Sequence, residues 1–297
     1  MRGHSRRYWR QTALAYLFIL PAALILLVFH ILPMFLSLGV SFLDWNLISR
    51  PEWVGLRNYT NAFANPEFRH ALWMTVYYVG TSVPLTLALA LALAVAFQSR
   101  LRGTGLYRTA YFIPYVTAAN AAAIVWFYIF YPQSGGLLNE ALHAIHLPRL
   151  QWLEDPRWAM PAVVIYSLWK YVGYDAVIYL AGLQNIPREY YEAAAMDGAT
   201  GWTAFRYITW PLVSPTTYFL LIISIISSFQ VFSPVYIMTP DGGPLKSTTV
   251  VVYYLYQQAF NYFDFGYASA LAYILFVVLF VLTLVQRRLV GKRVIYE

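Results

Sequence analysis

Long apolar runs separated by short polar stretches dominate this chain. Each helical residue advances about 1.5 Å, so roughly 20 apolar residues cross about 30 Å of hydrocarbon. Six runs reach that length: residues 12–36, 72–97, 111–131, 158–183, 212–236 and 265–285. Strands of a membrane barrel would show short segments alternating between apolar and polar residues. The stretch LTLALALALAVAF at 85–97 alternates only in side-chain size, and all but one of its residues are apolar. The pattern therefore predicts an all-α membrane protein with six transmembrane helices.

Composition agrees. Of the 297 residues, 60% are hydrophobic, 19% aromatic and only 11% charged, against about 25% charged in a typical soluble protein. So few charges exclude a disordered chain, a basic nucleic-acid-binding domain and most cytosolic enzymes. The chain has no cysteine, so it has neither disulfides nor thiolate-held metals.

The formal net charge of +7 matters less than its placement. Lys and Arg concentrate on the cytoplasmic side of membrane proteins. One side of the six-segment arrangement carries Arg2, Arg6, Arg7, Arg10, Arg100, Arg102, Arg108, Arg188, Arg206, Arg287, Arg288, Lys292 and Arg293. The other carries Arg50, Arg57, Arg69, Arg149, Arg157 and Lys246. Thirteen against six places both termini in the cytoplasm, as an even number of spans requires. Residues 1–11 then form a cytoplasmic N-terminus, 12–286 the membrane domain, and 287–297 a cytoplasmic tail. The start MRGHSRRYWRQ could open a cleaved signal peptide, but its apolar run continues past Pro21 with no small-x-small site after it. A first spanning helix is the expectation.

Catalytic signatures are missing. Gly291–Lys292 lacks the rest of a P-loop, and neither HExxH nor Gly-x-Ser-x-Gly occurs. His143 and His146, three residues apart with Glu140 three residues earlier, could share a helical face. They lack a complete ligand set, so a solvated outer loop is the expectation. The aromatic run around Tyr253, Tyr256, Phe260 and Phe263 has helical spacing. It reads as a helix in the membrane interface, with part of an outer gate as the other reading. Lys170 and Asp175 lie inside the fourth run, and five residues rotate them about 140° apart. Each then faces a neighbouring helix or an aqueous path, as snorkelling or buried contacts, or as functional groups.

The polar stretch 184–210 is the most informative. Pro187 opens a helix, and Glu189 and Glu192 favour its positive end. Ala193, Ala194 and Ala195 propagate it with small side chains, and Gly198 ends or bends it. Thr200 is placed to cap a second helix presenting Trp202, Phe205 and Ile208 on one face, and Pro211 closes the segment. Two short helices with a glycine bend make a docking element.

Glu192-Ala193-Ala194, Asp197-Gly198-Ala199, Phe205, Ile208 and Pro211 at this spacing resemble the EAA loop of permease subunits in bacterial ABC importers. VGLRNYTNAF at 54–63, MTPDGGP at 238–244 and FNYFDFGYASAL at 260–271 are similar to the carbohydrate branch of that family, the maltose and glycerol-phosphate type. The resemblance covers most of the chain and implies a type I importer permease fold in the bacterial cytoplasmic membrane, without extra N-terminal helices.

It also implies a mechanism. Glu189, Glu192, Ala193, Ala194, Asp197, Gly198 and Ala199 would couple to a cytosolic ATPase dimer. That dimer, not this chain, would bind ATP and Mg, so no cofactor and no catalytic residue is expected here. An external binding protein would deliver a sugar, and a second, related permease chain would complete the pathway. By position relative to the EAA motif, Tyr171, Tyr174, Ser224 and Ser228 match the maltose-type substrate site, with Asp175 and Gln230 as further polar candidates. Aromatic faces stack on sugar rings and hydroxyls bond them, while serines also serve helix packing in membranes. The competing classes are an ion-gradient-driven carrier, which would place acids or broken helices in corresponding halves, and a membrane-embedded enzyme.

Overall fold

The computed structural model describes residues 6–98, 104–132 and 135–289. Arg2, Arg100, Arg102, Gly291, Lys292 and Arg293, which entered the charge count or the P-loop test, lie outside them. The chain forms two compact units, residues 1–64 with 257–274 and residues 65–256 with 275–297.

In the first unit, α1 (Arg6–Leu26) passes through one π-turn (Leu27–Ile31) into α2 (Leu32–Val40). Together Gln11–Val40 make a 30-residue stretch apolar enough to cross a membrane, and none of its most apolar window is buried. A short antiparallel pair, β1 (Leu43–Asp44) and β2 (Glu52–Trp53), follows with Leu43 opposite Trp53. Then comes α3 (Arg57–Ala64). The motif at 54–63 has a local reason: the Asn58 amide donates to the carbonyls of Ser41 at 3.0 Å and Leu43 at 2.8 Å, tying α3 to the end of α2 and to β1.

The second unit is built on α4 (Pro66–Gln98), 33 residues long. Asn65 accepts from the Glu67 amide at 2.8 Å, and Pro66 fills the first turn, where no amide donor is needed. Next come α5 (Thr104–Val116), α6 (Ala119–Ile129), α7 (Leu137–Ala144) and α8 (Pro156–Gln184). Asp155 caps α8 by accepting from the Arg157 amide at 2.8 Å. Hydrogen bonds from the Arg157 guanidinium hold that carboxyl below the usual carboxylate range. The EAA segment forms α9 (Arg188–Met196), α10 (Trp202–Ala204), a π-turn (Phe205–Thr209) and α11 (Trp210–Leu212). After α12 (Ser214–Phe229) come α13 (Ser233–Met238) and α14 (Val251–Tyr256); the last described helix, α15 (Phe265–Leu289), begins in the first unit and ends in the second.

Two of the apolar runs depart from the expected straight spans. Run 111–131 is broken at Thr117 and Ala118, where extended Ala118 turns α6 by 99° from α5. The run from 212 is bent by 62° at Val213, between Pro211 and Pro215, and ends its main helix at Phe229. Among the described residues, three helices are long and apolar enough to cross a membrane unaided: Gln11–Val40, Pro66–Gln98 and Phe265–Leu289. Each bent pair adds one if counted as a single span.

α8 packs along α4 and also against α5. A Cβ on Gly173 would collide with the Tyr111 carbonyl oxygen, so only glycine lets these backbones touch. In the outer segment 132–157, buried Asn139 donates to the carbonyls of Tyr131, Pro132 and Leu150. It accepts from the Leu150 amide and from the Trp152 indole at 3.1 Å. Glu140 pairs with Arg149 at 3.0 Å rather than with a histidine. Among the described residues, no group of three or more His, Cys, Asp or Glu could hold a metal ion. The aromatic run is not one helix: Tyr253 is buried beside Phe232, and a π-turn at Gln257–Asn261 follows Tyr256, which breaks the expected single face.

Candidate functional site

A cavity of about 300 Å³ opens within the second unit among α4, α8 and α12. All six substrate candidates line it: Tyr171, Tyr174 and Asp175 from α8, Ser224 and Ser228 from α12, and Gln230 just beyond it. α8 delivers its three because residues 171, 174 and 175 share one helical face. α12 delivers its two by the same i, i+4 rule. Ser227 also lines the wall.

Several further lining residues came from runs read only as apolar. Tyr78 and Ser82, one turn apart on α4, bring polar atoms to the wall. The Tyr78 hydroxyl lies 2.7 Å from the Ser167 hydroxyl, bridging α4 and α8. The Ser82 side chain is buried beside it. Tyr115, at the end of α5, stacks on Tyr174 with ring centroids 4.1 Å apart and planes 14° apart. In the sequence, the i, i+4 pair of polar residues in a run otherwise dominated by apolar ones was the available signal for Tyr78 and Ser82. Nothing in the sequence marked Tyr115 beyond the Pro114 that precedes it.

The two charges of the fourth run separate as their 140° divergence predicts. Lys170 is buried, and its ammonium donates to the carbonyls of Pro114 at 2.7 Å, Tyr115 at 3.2 Å and Thr117. These are the carbonyls that α5 leaves unmatched where it breaks, so the cation caps that helix end and complements its dipole. Asp175, also buried, faces the cavity instead. None of the three ion pairs among the described residues involves it.

The EAA segment is a separate, exposed element. α9 ends at Met196, Asp197 is its C-cap, and Gly198 takes the left-handed conformation at φ +77°. The Ala199 amide donates to the Ala194 carbonyl at 2.8 Å and the Gly198 amide to the Ala195 carbonyl at 3.1 Å. This is the double hydrogen bond of a Schellman end, which favours glycine at that position. Glu189, Glu192, Ala193 and Asp197 are exposed, while Ala194 and Ala199 are half-buried. The Tyr191 hydroxyl lies 3.0 Å from that of Thr209, tying α9 to the π-turn.

Thr200 does not cap the second helix. Gly201 occupies that position with no side-chain bond, because its φ of +56° already reverses the chain. That helix is a single turn, and the π-turn after it alters the spacing. Trp202 stacks on Phe205 at 5.2 Å, and Trp202 is 73% exposed. Met196, at the end of α9, is 89% exposed as well.

Residues 62–295 match the model of the family described as "Binding-protein-dependent transport system inner membrane component". Over 297 residues the chain is 37% identical to the "Probable ABC transporter permease protein YesP" of Bacillus subtilis (strain 168), covering 99% of this chain and 95% of that protein. It is 35% identical over 292 residues to the "Trehalose/maltose transport system permease protein MalF" of Thermococcus litoralis, covering 97% of each. Its fold matches a crystal structure of a bacterial ABC transporter involved in alginate import, with a TM-score of 0.85 at 24% identity, covering 97% of this chain and 99% of that one.

Proposed function

The chain belongs to the binding-protein-dependent transport system inner membrane components, and on that premise we propose that it carries a sugar across the membrane in an ATP-driven importer. It is a multi-pass permease of the inner membrane. The reading of its substrate as carbohydrate rests on one observation above the others. Four residues nominated through their position relative to the EAA motif, Tyr171, Tyr174, Ser224 and Ser228, line a single cavity of hydroxyls and aromatic faces together with the polar candidates Asp175 and Gln230. That lining suits a polar ring with apolar faces: tyrosines stack on it and serines exchange hydrogen bonds with it.

Six spans, with both termini in the cytoplasm, complete the proposal. The three straight helices and two bent pairs supply five. α8, 29 residues long with Lys170 and Asp175 in its middle, supplies the sixth. The charge asymmetry of the sequence supports the orientation.

The EAA segment is the coupling element to a cytosolic ATPase dimer that binds ATP and Mg. Glu189, Glu192 and Asp197 present charge, Ala193, Ala194 and Ala199 keep the surface low, and Gly198 sets the end of α9. Closure of the ATPase dimer moves α9, and the cavity alternates between the cytoplasm and an external binding protein. A second permease chain lines the other half of the pathway. This chain performs transport, and hydrolysis lies on its partner.

Purification from native membranes tests the proposal. The expected result is an ATPase subunit that copurifies, and uptake by proteoliposomes that requires internal ATP. Uptake by the isolated chain on a proton gradient would establish the ion-driven class instead.

A further inference from the structure

Tyr166, Lys170 and Tyr174 follow one another at four-residue spacing on one face of α8. All three reach the place where α5 breaks from α6. The Tyr166 hydroxyl donates to the Ala119 carbonyl at 3.0 Å. The Lys170 Nζ donates to the carbonyls of Pro114 at 2.7 Å, Tyr115 at 3.2 Å and Thr117. The Tyr174 ring holds the Tyr115 ring flat against it. The broken backbone is thus fixed from a single helix, by bonds to its carbonyls and by one stacked side chain. Every one of these contacts lies within this chain, and Lys170 is 4% exposed.

The chemistry at Nζ is that of a cation site. A helix that breaks at membrane depth leaves carbonyls without amide donors, and each must find another partner. In transporters with broken helices, such carbonyls coordinate coupling ions. Here they converge on Nζ, and three acceptors call for the three N–H donors of an ammonium. A free ion could leave this place, but the ammonium is tied to α8 by its own side chain.

We infer that Lys170 is a positioning residue for the cavity: a tethered cation that holds the α5–α6 break in register with α8 and so fixes the Tyr115 ring in the cavity wall. Lys170 does not itself line the cavity and acts through Tyr115. That this wall meets a sugar rests on the carbohydrate reading above; the pinning of the ring does not.

Fluorine NMR reads the ring directly. Tyr115→4-trifluoromethylphenylalanine is introduced into this chain of the complete transporter in nanodiscs, and Tyr174→Leu in the same protein marks the resonance of an unstacked ring. Lys170→Ala should move the signal from the stacked to the unstacked position. Added n-propylammonium, which supplies the three carbons and the ammonium removed, should return it. Tetramethylammonium, a cation without N–H donors, should not. A signal that stays stacked in Lys170→Ala would overturn the inference, as would one that propylammonium leaves displaced or that both cations restore equally.

Reductive methylation needs no substitution, so it decides the matter even where Lys170→Ala does not assemble. In the unmodified complex, exposed Lys246 should take methyl groups, and Lys170 should take none until the complex is unfolded. Methylation of both at similar rates in the folded complex would overturn the inference. Neither readout uses a sugar, so its failure leaves the carbohydrate reading standing, and a failure of ATP-driven uptake counts against that reading alone.

Discussion

The ring of Tyr115 lies flat against that of Tyr174, joining the broken end of α5 to the cavity face of α8. An aromatic pair contributes about 0.5–1.5 kcal/mol beyond its buried area, and these two rings form part of the cavity wall. Tyr115→Leu keeps an apolar side chain but removes the stacked surface. The half-saturation concentration for uptake should rise about three- to tenfold while the complex assembles normally. Uptake kinetics in proteoliposomes check this.

Lys170 holds three carbonyls that would otherwise be buried without a donor. Hydrogen bonds to a charged group contribute about 1.5–3 kcal/mol each, and unmatched buried groups cost about as much. Lys170→Met should therefore destabilise the second unit by about 3 kcal/mol or more, read as a fall of several degrees in thermal unfolding of the complex.

Gly173 has no room for a methyl group, because the Tyr111 carbonyl occupies the space. At Gly80, by contrast, an added Cβ would meet nothing within 4 Å. Overpacking of this kind typically costs about 1–3 kcal/mol. Gly173→Ala should reduce the yield of folded protein and its melting temperature, and Gly80→Ala should leave both unchanged within about 0.5 kcal/mol.

Gly198 separates folding from coupling. A Cβ there meets nothing within 4 Å, so a side chain costs only the left-handed backbone, about 1–2 kcal/mol. Gly198→Asp places a side chain and a charge on the exposed surface of the EAA segment. Uptake should be lost while insertion and membrane abundance persist, measured by uptake assay and immunoblot on the same membranes. Normal uptake in this variant would contradict the docking role of the segment.

The apolar runs were legible in the sequence because length and hydropathy alone specify a membrane helix. The 99° break at Thr117 and Ala118 was not, because TAAN holds neither proline nor glycine to mark it. Hydropathy carries no direction, and the carbonyls at the break are met by a cation that arrives from α8. The divergence of Lys170 and Asp175 followed from helical geometry, but their targets did not, since a side chain's partner is fixed by tertiary packing. Gly198 was legible because alanines followed by Asp-Gly specify a helix and its end locally. Thr200 misled for the opposite reason: a capping side chain was available, but Gly201 with φ +56° turned the chain first.

Contact between the EAA segment and an ATPase is the central claim, and Met196, 89% exposed at the end of α9, is the place to test it. The chain has no cysteine, so Met196→Cys carries a benzophenone maleimide at one defined point on this chain. Illumination of native membranes should join this chain to its ATPase subunit in a yield that changes when ATP is added. Uptake that is fully ATP-driven with no such product, in membranes where the label has reacted completely, would contradict the claim.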